Sequence, residues 1–228
     1  MKKNLLSIVL FLTFTTHAVS HVEHYRNFNS LEYELFRNNK SIGYHNYEFE
    51  KKDNNLKVKS IIEFKIMKLG VQLYKYNAIS EEEYNEDQLI NFSSETNQNK
   101  KIKNTKINFD KIKKILVITG SENQITSPKE YLVGTWWNHE IVQAKAQISA
   151  ISGRIIEQKV TFLGKEQIKL YGKTYEALRF NFSSSDESLK DNKKLNTDVW
   201  YDEETKLWLK AAFDKTGSWE YRLKSYDR

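Results

Sequence analysis

Residues 56–68 read LKVKSIIEFKIMK, and this stretch decides the fold of the chain. In it the apolar residues Leu56, Val58, Ile62, Phe64 and Ile66 alternate with the charged residues Lys57, Lys59, Glu63 and Lys65. Successive side chains of a β-strand point to opposite faces, so this alternation predicts a strand with one face in a core and one in water. Antiparallel sheets with one packed face are built from such strands.

The same alternation recurs along most of the chain and predicts about thirteen short strands. They are 31–37, 41–51, 56–68, 71–83, 88–96, 101–109, 113–119, 155–163, 165–170, 174–182, 197–202, 207–213 and 218–225. Residues 131–148 break the pattern, because the spacing of Trp137, Ile141, Ala144 and Ile148 suits a short helix better than a strand.

We therefore expect an all-β fold in which residues 21–228 form a single antiparallel domain. One arrangement is a single curled sheet, an open or closed barrel of about 10–13 strands, with one short helical segment near 131–148. The alternative is a two-sheet β sandwich. A curled sheet of more than about ten strands encloses more space than its inward side chains fill, so residues 131–148 would plug that space or cover a cavity.

The first twenty residues have the order of a secretory signal peptide. Lys2 and Lys3 precede the apolar run LLSIVLFLTFT at 5–15, and small residues follow. Eleven residues rise only about 16 Å as a helix, too short for a hydrocarbon core of about 30 Å. We expect cleavage near residue 18 or 20, a periplasmic location and no transmembrane segment after cleavage.

Composition excludes several classes of chemistry. The chain has no cysteine, so disulfides, thiol catalysis and zinc–thiolate sites are excluded, and we expect neither a cofactor nor a structural metal. The net charge is +6, but the basic residues are mixed with acidic ones, which argues against nucleic acid as a partner. Cleavage would leave His21 and His24 near a new N-terminus, where copper binding stays open.

No pattern in the sequence predicts a catalytic residue. Histidines are scarce, no G-x-S-x-G motif is present, and His45 inside a strand is best interpreted as a core or wall residue. The acidic runs 81–83 and 202–204 are interpreted as solvated charge and turn residues, since neighbours on a strand point to opposite faces. We therefore expect a protein that is not an enzyme.

The segment containing Trp136, Trp137 and His139 has two interpretations. Both tryptophans pack in the core while Asn138 caps a turn, or the segment forms a lid over a cavity and His139 offers a polar contact. For the second interpretation the candidate ligand-binding residues are Trp136, Trp137 and His139 in the lid and Phe64, Ile66, Trp200 and Leu209 in the wall.

Three functions follow from these patterns, in descending order. The first is a non-enzymatic periplasmic protein that binds an apolar or amphiphilic, lipid-like ligand, or an envelope partner, on a concave apolar face. The second is an interaction or scaffold domain with a filled core and no small ligand. A hydrolytic enzyme ranks last.

Three stretches together resemble a known group of proteins. They are FKIMKLGVQLYKY at 64–76 followed by the acidic residues 81–83, GTWWN at 134–138, and TDVWYD at 197–202 followed by LWLK at 207–210. In this order they resemble an uncharacterised family of exported bacterial β proteins of unknown function. The resemblance implies a periplasmic protein of antiparallel strands and assigns no activity. A looser architectural likeness is to the half-barrels of periplasmic lipoprotein carriers, which hold acyl chains on a concave face.

Overall fold

The computed structural model describes residues 25, 27–120 and 123–228. The predicted signal peptide at 1–20 and the copper-binding hypothesis for His21 and His24 therefore lie outside the described residues.

Strands dominate the described part of the chain. They are β1 (Ser30–Arg37), β2 (Lys40–Lys52), β3 (Asn55–Lys68), β4 (Val71–Asn85), β5 (Gln88–Gln98), β6 (Lys101–Asp110), β7 (Ile115–Thr119), β8 (Ile125–Pro128), β9 (Leu132–Val133), β10 (Ala146–Ile148), β11 (Ile155–Leu170), β12 (Lys173–Ser184), β13 (Asn196–Asp202), β14 (Trp208–Asp214) and β15 (Ser218–Asp227). Short 3-10 helices lie at His139–Val142 and Asp191–Lys193.

All fifteen strands belong to one sheet in the order β8-β7-β6-β5-β4-β3-β2-β1-β15-β14-β13-β12-β11-β10-β9. Strands that follow one another in sequence lie side by side, except β8 and β9, and β1 pairs with β15, which brings the two ends of the domain together in the middle of the sheet. The pairs are antiparallel except for β9 with β10. The edges of the sheet are β8 and β9, so the sheet is open, and the prediction of a single curled sheet is confirmed.

A glycine explains one difference between the predicted and observed strands. The predicted strands 155–163 and 165–170 are one strand, β11, whose register against β12 shifts between Phe162 and Gly164. Gly164 has φ +123°, a conformation that suits glycine, and such a residue in a strand marks a bulge rather than an end.

The inward side chains form the core that the alternation predicted. Leu56, Val58 and Phe64 of β3 are buried, whereas Lys65 on the other face is exposed. The larger cluster of buried side chains includes Trp137 and Trp208, the two largest fully buried residues among those described. A smaller cluster centres on Leu35, Phe64 and Tyr76 near one end of the sheet.

Residues 131–148, called the plug below, are helical over four residues only. The 3-10 helix His139–Val142 begins after Asn138, whose side chain accepts a hydrogen bond from the Glu140 backbone N–H at 3.1 Å, as the capping interpretation predicted. The spacing from Trp137 to Ile148 does not belong to one helix, because Ile148 lies in β10. Strands of two and three residues carry too little alternation to be recognised in the sequence.

The position of the sheet edges predicts where the chain can be cut and circularly permuted with little loss of stability. The Asn29 N–H donates to the Asp227 carbonyl oxygen at 2.9 Å, so a Gly/Ser linker from Arg228 can lead back to a chain that begins just before Tyr25 and keeps this buried side chain. A permutant opened between Lys129 and Glu130 breaks no hairpin, because β8 and β9 are not paired with each other. We expect its free energy of unfolding to stay within about 1 kcal/mol of the parent value, measured by urea denaturation.

The control permutant is opened between Tyr171 and Gly172, the tight turn of the long β11–β12 hairpin. It should lose more stability than the first permutant, because β11 and β12 are then no longer joined by a short turn and their pairing must close a long loop of chain. Equal losses in the two permutants would contradict the assignment of β8 and β9 as natural edges.

Candidate ligand cavity

The plug lies across the inner face of the sheet and contacts strands from both halves of the chain. The Tyr47 hydroxyl of β2 donates to the Thr135 carbonyl oxygen at 2.7 Å, and the Tyr201 hydroxyl of β13 donates to the Trp136 carbonyl oxygen at 2.9 Å. The Trp136 ring meets Tyr221 of β15 edge-on, with ring centroids 6.0 Å apart. This is the position that the lid-or-plug hypothesis required.

Trp137 anchors the plug in the core. Its ring is fully buried and makes edge-to-face contacts with Tyr25, Phe49 and Tyr84, at centroid distances of 5.1, 5.6 and 5.6 Å. Its indole N–H donates to Glu82 Oε1 at 2.9 Å. A large aromatic side chain that is both packed and hydrogen-bonded is held in one orientation, so the packing interpretation applies to Trp137.

Glu82 of β4 is a buried carboxyl group. Besides the bond from Trp137, it accepts a hydrogen bond from the Tyr84 hydroxyl at 2.7 Å. Burial raises the pKa of Glu82, and hydrogen bonds from Trp137, Tyr84 and Thr135 offset part of this effect. The carboxyl group is thus a polar anchor point inside an otherwise aromatic core.

The interpretation of residues 81–83 as solvated charge was wrong for the middle residue. Strand alternation carried the signal that would have found it, because Glu82 has the same parity as the buried residues Ser80 and Tyr84. Glu81 and Glu83 have the opposite parity, and they lie on the outer face.

A cavity of about 220 Å³ lies between the plug and strands β2 to β5. One wall is polar: Ser60, Ser80 and Ser94 stand opposite one another across β3, β4 and β5. The other residues that line it are His45, Ile62, Tyr76, Ala78, Thr96, Gly134, Thr135, Trp136, Gln147, Ser149, Ala150, Ile151, Ile156 and Tyr221. Small side chains on neighbouring strands leave this space unfilled.

Two residues of the cavity lining each hold a buried polar atom without a hydrogen-bond partner among the described residues, and these atoms are Nδ1 of His45 and Nε1 of Trp136. His45 is 5% exposed, and its Nε2 lies 2.8 Å from Ser60 Oγ. Burial lowers the pKa of His45 to about 3, so the ring is neutral at physiological pH. An unpartnered buried polar atom costs about 1–3 kcal/mol, which a hydrogen-bonding occupant of the cavity would recover.

Of the residues predicted to form a ligand site, Trp136 lines the cavity. Phe64 and Ile66 lie next to it in the smaller core cluster, where the Phe64 ring stacks on Tyr76 at 4.8 Å. Trp137 and Leu209 lie in the main core, away from the cavity lining.

His139 and Trp200 lie elsewhere. His139 Nε2 is 3.3 Å from Glu140 Oε1 at the start of the 3-10 helix, and its ring meets Tyr201. Trp200 is on the outer face of β13, where Arg179 and Lys210 lie over its ring at 4.9 and 4.8 Å. The structure therefore does not bring the seven predicted residues together.

Larger depressions lie away from the cavity, among them one of about 350 Å³ next to Tyr171. Another of about 670 Å³ is at the open edges of the sheet and includes Lys129, Glu130 and Glu140. A third, of about 520 Å³, surrounds Trp200 on the outer face, where Arg179 is already paired with Asp198. The cavity under the plug is smaller, but two of its lining residues, His45 and Trp136, hold buried polar atoms without a partner, which makes it the better candidate for a site.

Two further features bear on function. In the described part of the chain, no group of three or more His, Cys, Asp or Glu side chains is placed to hold a metal ion. Within the same residues, no helix is long and apolar enough to cross a membrane.

Comparisons with known proteins agree with this architecture. The family described as a domain of unknown function, DUF6134, matches residues 33–224. The fold is similar to the crystal structure of a β-barrel-like protein of the domain of unknown function DUF1849 from Brucella abortus, with a TM-score of 0.60 and 12% identity, over 87% of this chain and 96% of that one. No curated protein sequence matches the chain. The expected resemblance to an uncharacterised β family is confirmed, and at this identity the structural likeness shows the fold alone.

The burial of Trp137 generates a stability prediction. Replacing Trp137 with alanine should lower the free energy of unfolding by about 3–5 kcal/mol, since the change empties the centre of the core and removes a donor to Glu82. Phe162→Ala is the control, because Phe162 is more than half exposed and its removal should cost less than about 1 kcal/mol. Urea denaturation measures both, and similar values would contradict the role of Trp137 as anchor.

The neutral, buried His45 generates a prediction of pH dependence. In the unfolded chain the imidazole protonates near pH 6.5, but in the fold it stays neutral to about pH 3. The unfolded state therefore binds one more proton in this window, and stability falls on acidification by about 1.4 kcal/mol per pH unit from this group.

His45→Gln replaces the imidazole with an amide that can bond Ser60 and does not titrate. The variant should therefore lose less stability than the parent protein between pH 7 and about pH 5. Glu82 contributes with the opposite sign, because its pKa is raised, but its contribution is common to both proteins. Equal slopes of stability against pH in the two proteins would show that His45 is not buried as described.

Proposed function

We propose that this chain, which belongs to the DUF6134 family of domains of unknown function, is a non-enzymatic binding protein whose interior cavity holds a small amphiphilic molecule. The observation that carries the proposal is that two residues of the cavity lining, His45 and Trp136, each hold a buried polar atom without a hydrogen-bond partner, Nδ1 and Nε1 respectively. Trp136 offers a donor, and neutral His45 offers a donor or an acceptor, depending on its tautomer.

The lining supports an amphiphilic occupant. Serines of β3, β4 and β5 and the threonine of β5 form a polar wall, whereas Ile62, Tyr76 and Ile151 supply apolar surface. Sites for drug-sized ligands usually enclose about 300–1,000 Å³. The cavity of about 220 Å³ therefore suits a smaller molecule, or one terminal part of a longer one, and is below the size expected for a whole lipid.

Several features favour binding over hydrolysis. A general base works best with a pKa near the working pH, and the pKa of His45 is far below neutrality. The nearest buried carboxyl group, Glu82, is fully engaged by Trp137 and Tyr84 in holding the plug. We place this function in the periplasm, on the strength of the charge, apolar and small-residue order of the first twenty residues.

The second candidate is a filled-core interaction domain without a small ligand. The specific observation in its favour is that the plug and fully buried rings such as Trp137 and Trp208 occupy most of the interior. Ordered water would then satisfy the polar atoms of the cavity.

Native mass spectrometry of protein purified from its own host separates the two candidates. We expect a retained small molecule in the parent protein. A matched pair of variants tests the site: Ser94→Leu adds bulk to the cavity wall, and Ser93→Leu makes the same change on the outer face of the same strand. The retained mass should be lost in the first and kept in the second.

Ser94→Leu also removes the hydrogen bond that the Ser94 hydroxyl donates to the Ala150 carbonyl oxygen, and a third variant covers the case in which this protein does not fold. Trp136→Phe keeps an aromatic ring at this position but removes the indole N–H, and it should weaken binding up to about tenfold. A parent protein that carries no molecule would favour the filled-core candidate.

A further inference from the structure

The hairpin of β3 and β4 extends beyond the rest of the sheet. These two strands pair up to Lys68 opposite Val71, but β2 pairs with β3 only as far as Phe64, and β5 pairs with β4 only from Tyr76. Residues 65–75, called the arm, therefore form a two-stranded ribbon with no further strand on either side. At about 3.3 Å per residue the arm reaches about 13 Å past its neighbours.

The tip of the arm is apolar and exposed. Leu69 at the turn is 95% exposed, and Met67, Val71 and Leu73 are each more than half exposed. Leu69 also has φ +50°, a left-handed conformation that costs a leucine about 1 kcal/mol or more and that asparagine or glycine adopts more readily. Neither stability nor turn geometry accounts for leucine here, and clustered exposed apolar side chains mark interaction sites.

Positive charge surrounds this tip. The arm carries Lys65, Lys68 and Lys75 and no acidic residue. The Asn99 N–H donates to the Lys75 carbonyl oxygen at 2.9 Å, which places the β5–β6 turn, with Lys100 and Lys101, at the base of the arm. The nearest described carboxylate on the same strand, Glu63, lies 3.5 Å from Lys65.

We propose that the arm is a membrane-docking element that inserts Leu69 and its apolar neighbours into the interface of an anionic lipid bilayer, while the lysines bind headgroup phosphates. The order of residues fits this occupant. The most exposed apolar side chain is at the apex, and Lys65 and Lys75 at the base of the arm stand about 13 Å back from it, just beyond the roughly 5–10 Å depth of interfacial insertion. Lys68, nearer the apex, can extend its ammonium group back to the headgroups.

Vesicle flotation tests the proposal on the full domain. The protein should float with vesicles of phosphatidylcholine containing roughly one-quarter phosphatidylglycerol and bind pure phosphatidylcholine much more weakly. Binding should fall as salt rises from about 50 to about 500 mM, because screening weakens the attraction of the lysines. Absence of binding to the anionic vesicles at low salt would overturn the proposal.

Leu69→Asn is the decisive variant. Burying a leucine contributes about 1.5–3 kcal/mol, so binding should weaken by about tenfold or more, and thermal stability should be unchanged or higher because asparagine tolerates the left-handed turn. The matched control is Ile112→Asn. Ile112 is 93% exposed and also flanked by lysines, but it lies in the β6–β7 turn at the opposite end of the sheet, and its loss should leave binding unchanged.

The absence of cysteine permits a direct readout of insertion. An environment-sensitive fluorophore on Leu69→Cys should report an apolar surrounding when anionic vesicles are added, and the same fluorophore on Ile112→Cys should not. Equal responses at the two positions, or equal losses of binding in the two asparagine variants, would overturn the proposal. Vesicle binding and the retained mass of a cavity ligand are separate measurements, so failure of one leaves the other intact.

Discussion

The hydrogen bond between Trp137 and Glu82 is the contact on which the interior of this protein depends. A curled sheet of fifteen strands cannot fill its concave side with its own inward side chains, so a segment of the chain must fill it. The plug does so, and its centre is an indole that donates to a carboxyl group buried on β4 at 2.9 Å. Loss of that donor would leave Glu82 buried with one fewer partner, and breaking such a contact costs more than its formation gains.

The cavity follows from the same arrangement. Trp137 fixes the depth of the plug, and the neighbouring Trp136 is directed to the side where β3, β4 and β5 carry serine, alanine and threonine rather than large apolar residues. Where the strands carry Tyr84 and Phe92 instead, the interior is packed. The cavity is therefore set by side-chain size along strands whose backbone pairing continues without a shift at Ser60, Ser80 and Ser94.

Strand alternation predicted the all-β class, the single sheet and most strand positions, because a period of two over ten or more residues, as in β3, is hard to imitate by chance. It missed β8, β9 and β10, since strands of two to four residues show no clear period, and it divided β11 at Gly164. Two residues were assigned to the wrong face. Glu82 was grouped with Glu81 and Glu83 as solvated charge, and Trp200 was grouped with the inner wall. Parity alone places each correctly, whereas the pairing of a buried carboxyl with a distant tryptophan requires the tertiary fold.

The two proposals meet in the smaller core cluster. Phe64 stacks on Tyr76, and Ile66 and Tyr74 at the base of the arm pack against the same cluster. Tyr76 also lines the cavity, as do the cluster members Ile62 and Ala78. Apolar contacts thus connect the arm, through this cluster, with residues of the cavity wall. An arm docked on a bilayer would place this end of the sheet against the lipid, so the molecule with the shortest route to the cavity is an amphiphile from that surface. The polar wall of the cavity would then bind the hydrogen-bonding group of the amphiphile, and the small cavity volume would limit how much of the amphiphile's apolar part can enter.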